Sequence, residues 1–487
     1  MPDTQRATQL AVIGGGPGGY AAAFLAADLG LQVTLIDQEP SPGGVCLYRG
    51  CIPSKALLHV AKVLENAQQA RDWGVTFAQP TIDVERLRTW KEGVVEKLTG
   101  GLGELCQRRK VTFIQGRATF LDATTLSVRP RQGAEERLTF AQAIIATGSR
   151  PAVLPHLHLD SPRLLDSTAA LALPDIPRSL LVIGGGYIGL EMATVYAALG
   201  TRVSVVEMTA GFLPGVDRDL VSILSRRLEP MLEASLLNTT VVAIHEEEQG
   251  LSVTFEGPAV QEAQQVFDKV LIAVGRRPNT QDLGLEHTRV EVTPQGFITV
   301  DAQRRTMEPT VYAIGDVVGE PMLAHKAAHE GRVAAAAIAG HKVAFEPQAI
   351  PAVVFTDPEI AWCGLTEIQA RNASRPIEVA RFPWAASGRA MTLGRAEGVT
   401  KLILDPTTQR VLGVGIAGSG AGELIAEGVL AVEMAALASD IALSIHPHPT
   451  LSETLMEAAE VFFGQSTHVY RPARRRNTSE ASQTLES

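Results

Sequence analysis

The sequence predicts an α/β fold with two Rossmann-like domains. The prediction rests on a strand–glycine turn–helix–strand–acid pattern that occurs twice with identical spacing, and on two late strands that each run into a further glycine turn. In the first copy, Leu10–Ile13 leads into Gly14-Gly15-Gly16-Pro17-Gly18-Gly19. A small-residue helical stretch follows over Tyr20–Leu29, then the apolar run Val33–Ile36 and Asp37. Gly14 permits the tight turn, Gly16 lets the backbone approach a pyrophosphate, and Gly19 lets helix and strand pack closely. The start of the helix aims N–H groups and a positive dipole end at phosphates, while Asp37 is placed to accept hydrogen bonds from ribose hydroxyls.

The second copy runs from Leu180–Ile183 through Gly184, Gly186 and Gly189 to Val203–Val206 and Glu207. One such turn is a weak signal, whereas two in the same context with the acid at the same offset predict two dinucleotide sites. Glu207 repels a 2′-phosphate and no arginine follows directly, so the second site is expected to take NAD rather than NADP. Ala143–Ala146 runs into Thr147-Gly148, and Val270–Ala273 into Val274-Gly275. The first domain is completed late, by Val311–Ile314 and Gly315-Asp316, where the acid suits the sugar-like chain of a cofactor or, alternatively, a helix cap.

At 487 residues the chain is too long for one core. Hydrophobic residues make up 45% and charged residues 20%, as in ordinary globular proteins, and the net charge of -10 argues against a nucleic-acid partner. No secretory leader and no apolar run of about 20 residues is visible, so a cytoplasmic protein without membrane spans is expected. The polar stretch 471–487, with its cluster of arginines, reads as a disordered tail.

Four cysteines are too few for a disulfide scaffold. Cys46 and Cys51 are close in sequence, and with no second pair to complete a zinc tetrad, no metal site is expected. In a regular helix their Cα atoms would be about 8–9 Å apart, whereas a disulfide needs about 4.4–6.8 Å. If the two thiols bond, the segment departs from ideal helix, for which Gly50 and Pro53 supply reasons. A long helix is expected onward from Pro53, which puts Cys51 at its positive end with Lys55 one turn on, and both features favour a thiolate.

Near the C-terminus, His446-Pro447-His448-Pro449 is barred from helix by its prolines. A helix is expected to begin at Thr450. Glu453 then completes a capping box with Thr450, or orients His448 as a base.

The segments GGVCLYRGCIPSK, IIATGSRP, GGGYIGLEM, AVGRRPN, YAIGDVVGEPMLAHKAAHEG, FPWAASGRA and HPHPTLSE resemble, in order and spacing, those of the dihydrolipoyl dehydrogenases. The resemblance implies FAD and NAD as cofactors and an FAD-binding domain over 1–153, continued over 277–348. It implies an NAD-binding domain over 154–276 and a C-terminal α+β dimerisation domain over 349–470, making a homodimer. It implies Cys46 as the thiol that attacks substrate, Cys51 as the thiol against the flavin, and Lys55 with Glu191 as an ion pair beside the flavin ring. His448 and Glu453 would act on the partner's disulfide. Gly116, Asp316 and Ala324 fall at flavin contacts, Val241 and Gly275 at NAD contacts. The partners implied are the lipoyl-bearing acyltransferase of 2-oxo acid dehydrogenase complexes or the glycine-cleavage lipoyl protein. Other disulfide reductases of this kind are the nearest alternative, and a non-catalytic flavoprotein a more distant one. Tyr48 and Arg49 depart from the family's usual Asn and Val, and Asp357 from its usual His or Glu. Tyr187 stands where related reductases carry a gating tyrosine, and is expected to cover the nicotinamide face of the flavin.

Overall fold

The computed structural model describes residues 5–258 and 260–470. They form two compact units. The first runs to Pro214 and resumes over Leu228–Glu346; the second comprises Gly215–Arg227 and the chain from Pro347 onward.

In the first unit, strands Thr112–Asp122, Val33–Asp37, Gln5–Ile13, Glu136–Ile145 and Val311–Ala313 lie side by side in that order, all parallel. Strand Thr125–Pro130 pairs antiparallel with both the first and the fourth of these. The parallel strands are apolar on both faces because both faces are covered. Leu10 and Val12 point into one core with the alanines of helices Pro17–Asp28 and Ala324–Ile338, while Ala11 and Ile13 point into the other. The second parallel sheet has the order Ala234–Leu237, Arg202–Glu207, Ser179–Ile183, Lys269–Ile272, Leu164–Leu165. Helix Tyr187–Ala198 follows its central strand and is buried at every position from Gly189 to Tyr196. Just past Gly148 and Gly275, the strands Ser149–Pro151 and Arg276–Pro278 pair antiparallel and tie the two modules together.

The second unit is α+β. Its antiparallel sheet has the order Ala352–Val354, Glu359–Gly364, Val411–Gly418, Val399–Leu404, Glu378–Pro383. Helices Ala421–Glu433 and Glu453–Phe463 pack against it. Trp384 is fully buried and its indole N–H donates to Thr400 Oγ1 at 3.0 Å, the partner that a buried tryptophan requires. Asp357 is buried in a two-pronged pair with Arg395, at 2.6 and 3.0 Å.

One segment sits elsewhere than the sequence suggested. Gly215–Arg227 lies within the span expected for the NAD-binding domain, but belongs to the second unit. Lys401, 1% exposed in its sheet, donates to Asp217 at 2.7 Å, Asp219 at 2.8 Å and Glu367 at 2.7 Å. An ammonium buried this deeply needs such partners, and two of the three come from that segment. Burial alone would raise the Asp219 carboxyl, but Lys401 and Arg381 outweigh it and hold the group below the usual range. The expected tail 471–487 lies outside the described residues. Among the described residues no helix is long and apolar enough to cross a membrane.

Lys401→Met should lower stability by about 3–5 kcal/mol, because it leaves buried carboxylates without their counter-charge. Denaturant unfolding of the holoprotein tests this, and an unchanged midpoint would contradict it. The depressed Asp219 stabilises the fold above its unfolded pKa of about 4, and that share is lost as pH falls through the lower folded value.

Candidate active site

A cavity of about 670 Å³ runs through the first unit. Gly14, Gly16 and Asp37 line it, as do Gly116, Gly148, Asp316 and Ala324. Gly14 turns at φ +104°, where a Cβ would lie 2.3 Å from the Ala146 carbonyl oxygen. Gly19 does not line the cavity; it packs against Gly14, whose carbonyl oxygen would lie 1.8 Å from a Cβ there. Helix Pro17–Asp28 begins with proline and has no side-chain cap, so the N–H groups of its first turn remain for a ligand. Asp37 accepts from Gly15 N at 2.5 Å and from Glu39 N at 2.8 Å, and burial pushes its carboxyl up.

At Asp316, Ser149 Oγ donates to Oδ2, and Arg276 Nε donates to the same hydroxyl at 2.7 Å. Asp316 lies in the short turn Gly315–Val318, well before helix Ala324–Ile338, so it does not cap that helix. The turn is anchored by Glu330, which is fully buried. It accepts from Gly315 N at 2.6 Å and pairs with Arg304 and Lys326, each at 3.1 Å. Ser149, Arg276 and Glu330 were not singled out from the sequence. The signal for Glu330 was a Lys–Glu pair four residues apart in an alanine-rich helix.

The second glycine turn repeats these devices. Gly184 turns at φ +110° against Ala273, and Glu207 accepts from Gly185 N at 2.7 Å and from Thr209 N at 2.8 Å. Gly189 packs against Gly184, while a Cβ at Gly186 or Gly275 would meet open space. The side chain of Val241 is packed in the core with Leu181 and Val253.

The thiols line the same cavity. Helix Gly44–Arg49 stops and helix Cys51–Gln69 starts with only Gly50 between them. Gly50 is the residue that fits, since a Cβ there would sit 2.8 Å from the Val45 carbonyl oxygen. The break brings the side chains of Cys46 and Cys51, both unbridged, close enough to interact. Pro53 lies in the first turn of the longer helix, as expected. Lys55 Nζ donates to both oxygens of Glu191, at 2.9 and 3.1 Å. Glu191 is buried at the fifth position of helix Tyr187–Ala198. The hydrogen bond from Cys46, helped by Lys55, lowers the Cys51 thiol to about 7 against the opposing effect of burial. Cys46 is pushed up by the same hydrogen bond and by burial. Tyr187 lines the same cavity, and burial pushes its phenol up to about 12.

In the second unit, His448 Nδ1 lies 2.9 Å from Glu453 Oε1, while Thr450 N donates to Glu453 Oε2 at 2.7 Å. Glu453 thus serves both readings of its position at once. The helix begins at Glu453 rather than Thr450, with Ser452 as its uncapped boundary residue, so only half of the capping box forms. Burial opposes ionisation of Glu453, but Thr450 N–H and His448 outweigh it and hold the carboxyl below its usual range. The His448 side chain is 72% exposed, free to meet a substrate.

Residues 8–331 match the pyridine nucleotide-disulphide oxidoreductase family, and residues 350–459 match its dimerisation domain. The chain belongs to this family. It is 50% identical over 460 residues to the dihydrolipoyl dehydrogenase of Haemophilus influenzae, covering 94% of this chain and 96% of that protein. It is 45% identical over 465 residues to that of Bacillus subtilis, covering 95% and 98%. Among solved structures, LpdA from Mycobacterium tuberculosis superposes with a TM-score of 0.87 at 26% identity, over 93% of this chain and 99% of that one. The HOCl-induced flavoprotein disulfide reductase RclA from Escherichia coli gives 0.83 at 29%, over 93% and 99%. The chain is accordingly an NAD-dependent flavoprotein oxidoreductase of the dihydrolipoyl dehydrogenase type, using FAD and NAD and carrying a dimerisation domain for a homodimer.

With Cys46 replaced by alanine, the thiol of Cys51 should titrate well above about 7, and Lys55→Met should raise it by less, following the order of the two effects. The pH dependence of alkylation at Cys51, mapped by mass spectrometry, measures both. A midpoint unmoved by either change would contradict the assignment.

Proposed function

We propose that the chain oxidises protein-bound dihydrolipoamide to lipoamide through Cys46 and Cys51, passing the electrons to NAD⁺. The observation that carries this reading is the pair of adjacent thiols, backed by the Lys55–Glu191 ion pair, in a cavity that is also lined by the glycine turn and acid of a dinucleotide site. The glycine cradle, the free N–H groups of the first helix and Asp37 suit the adenosine and pyrophosphate half of FAD. Asp316, steadied by Ser149, suits the sugar-like chain. The second glycine turn with Glu207 would hold NAD⁺.

His448, oriented by Glu453, removes the proton from a dihydrolipoamide thiol. The resulting thiolate attacks Cys46 of the oxidised Cys46–Cys51 pair, forming a mixed disulfide and releasing Cys51 as a thiolate. The second substrate sulfur then attacks the mixed disulfide, closes the lipoyl ring and frees Cys46. Cys51 is the better leaving group because its pKa is the lower of the two. FAD, when bound, supplies the conversion of a thiolate electron pair into a hydride that NAD⁺ accepts. In the homodimer, His448 and Glu453 of one protomer serve the thiols of its partner. The substrate is carried by the lipoyl-bearing acyltransferase of 2-oxo acid dehydrogenase complexes or by the glycine-cleavage lipoyl protein, in the cytoplasm.

His448→Gln should cut dihydrolipoamide oxidation by about 10²–10⁴-fold, the usual size of an acid–base contribution, while leaving flavin reduction by NADH near normal. Equal loss in both half-reactions would contradict the assigned role. Tyr187→Ala should alter NAD⁺ kinetics if the ring gates the nicotinamide side, and unchanged kinetics would remove that role.

A further inference from the structure

Two departures in the redox segment, Tyr48 and Arg49, take no part in the proposed thiol chemistry, yet both side chains grip the same loop. Arg49 is the last residue of helix Gly44–Arg49, which also carries Cys46. Its guanidinium is hydrogen-bonded to the carboxylate of Glu39. Glu39 lies two residues after Asp37 and donates its backbone N–H to Asp37 Oδ1 at 2.8 Å. Asp37, Gln38, Glu39 and Arg49 all line the cavity. One residue before Arg49, the Tyr48 hydroxyl donates to the Ser41 carbonyl at 3.1 Å. The helix therefore holds the loop at residues 39 and 41. The ion pair is half-buried, with side-chain exposures of 39% for Arg49 and 21% for Glu39, so solvent screens it only in part. It also places a cation beside two neighbouring acids, Asp37 and Glu39, on the lining of the cavity.

We propose that the Arg49–Glu39 pair is a clasp on the adenosine side of the cavity, and that Arg49 is a positioning residue for FAD retention. The inference rests on the placement of FAD described above. The clasp acts by holding the loop 38–43 against the cofactor; no contact between Arg49 and the phosphates is required.

The test is FAD release from the holoenzyme, followed as free-flavin fluorescence after dilution, for wild type, Arg49→Val, Glu39→Gln, the double variant and Arg49→Lys. At low ionic strength each of the first two substitutions should speed release about three- to fivefold, as fits one partly screened ion pair. The double variant should release no faster than either single one, because both remove the same interaction. Arg49→Lys should restore slow release, and salt at about 1 M should bring wild type close to the variants. A merely structural role for these side chains would not produce the salt dependence or the rescue by lysine. Unchanged release in both single variants would overturn the clasp. So would faster release in Arg49→Val with none in Glu39→Gln, which would mean that Arg49 binds the cofactor directly. Wild-type protein purified without FAD would overturn the placement itself, and the clasp with it.

Discussion

A continuous helix from Gly44 to Gln69 would hold residues 46 and 51 about 8–9 Å apart at their Cα atoms, beyond the reach of a disulfide, so the site depends on the interruption at Gly50. The interruption does three things at once. It closes the distance between the sulfurs, it makes Cys51 the first residue of a 19-residue helix, and it leaves Lys55 one turn further along. A helix N-terminus, a nearby ammonium and a neighbouring thiol all favour charge on the same sulfur. Burial opposes this, and the net result is a Cys51 thiol close to neutrality. The Glu191 carboxylate keeps the Lys55 ammonium in place across a contact between two helices far apart in sequence.

The two dinucleotide modules reuse one device. In each, the acid at the end of the second strand accepts an N–H from the middle of the glycine turn and another from the residue two positions beyond itself. This fixes the carboxylate before any ligand arrives, in keeping with preorganised binding. What differs is the surroundings. The first module extends into the redox helices and Asp316, whereas the turn at Gly186 opens onto free space.

Most of this was legible because its signals are local. The glycine turns, their acids, the break at Gly50 and the His448–Glu453 pair each depend on residues within about 25 positions of one another, where spacing and backbone geometry suffice. The misreadings arose where tertiary contacts decide. Gly215–Arg227 leaves its expected domain because Lys401, 182 and 184 residues from its partners there, needs their carboxylates. The last helix starts three residues later than expected, at Glu453, whose carboxylate is held by Thr450 N–H and His448. The anchoring of Asp316 through Ser149, Arg276 and Glu330 joins residues from four stretches of chain, and no single stretch announces it.

We propose that Cys51, and not Cys46, faces the flavin as a thiolate once the pair is reduced. The most direct measurement is the long-wavelength absorbance of a thiolate–flavin contact in the two-electron-reduced protein, compared between Cys46→Ser and Cys51→Ser. The account predicts that the band persists in Cys46→Ser and is lost in Cys51→Ser. The reverse pattern, or a band in neither variant nor wild type, would contradict it.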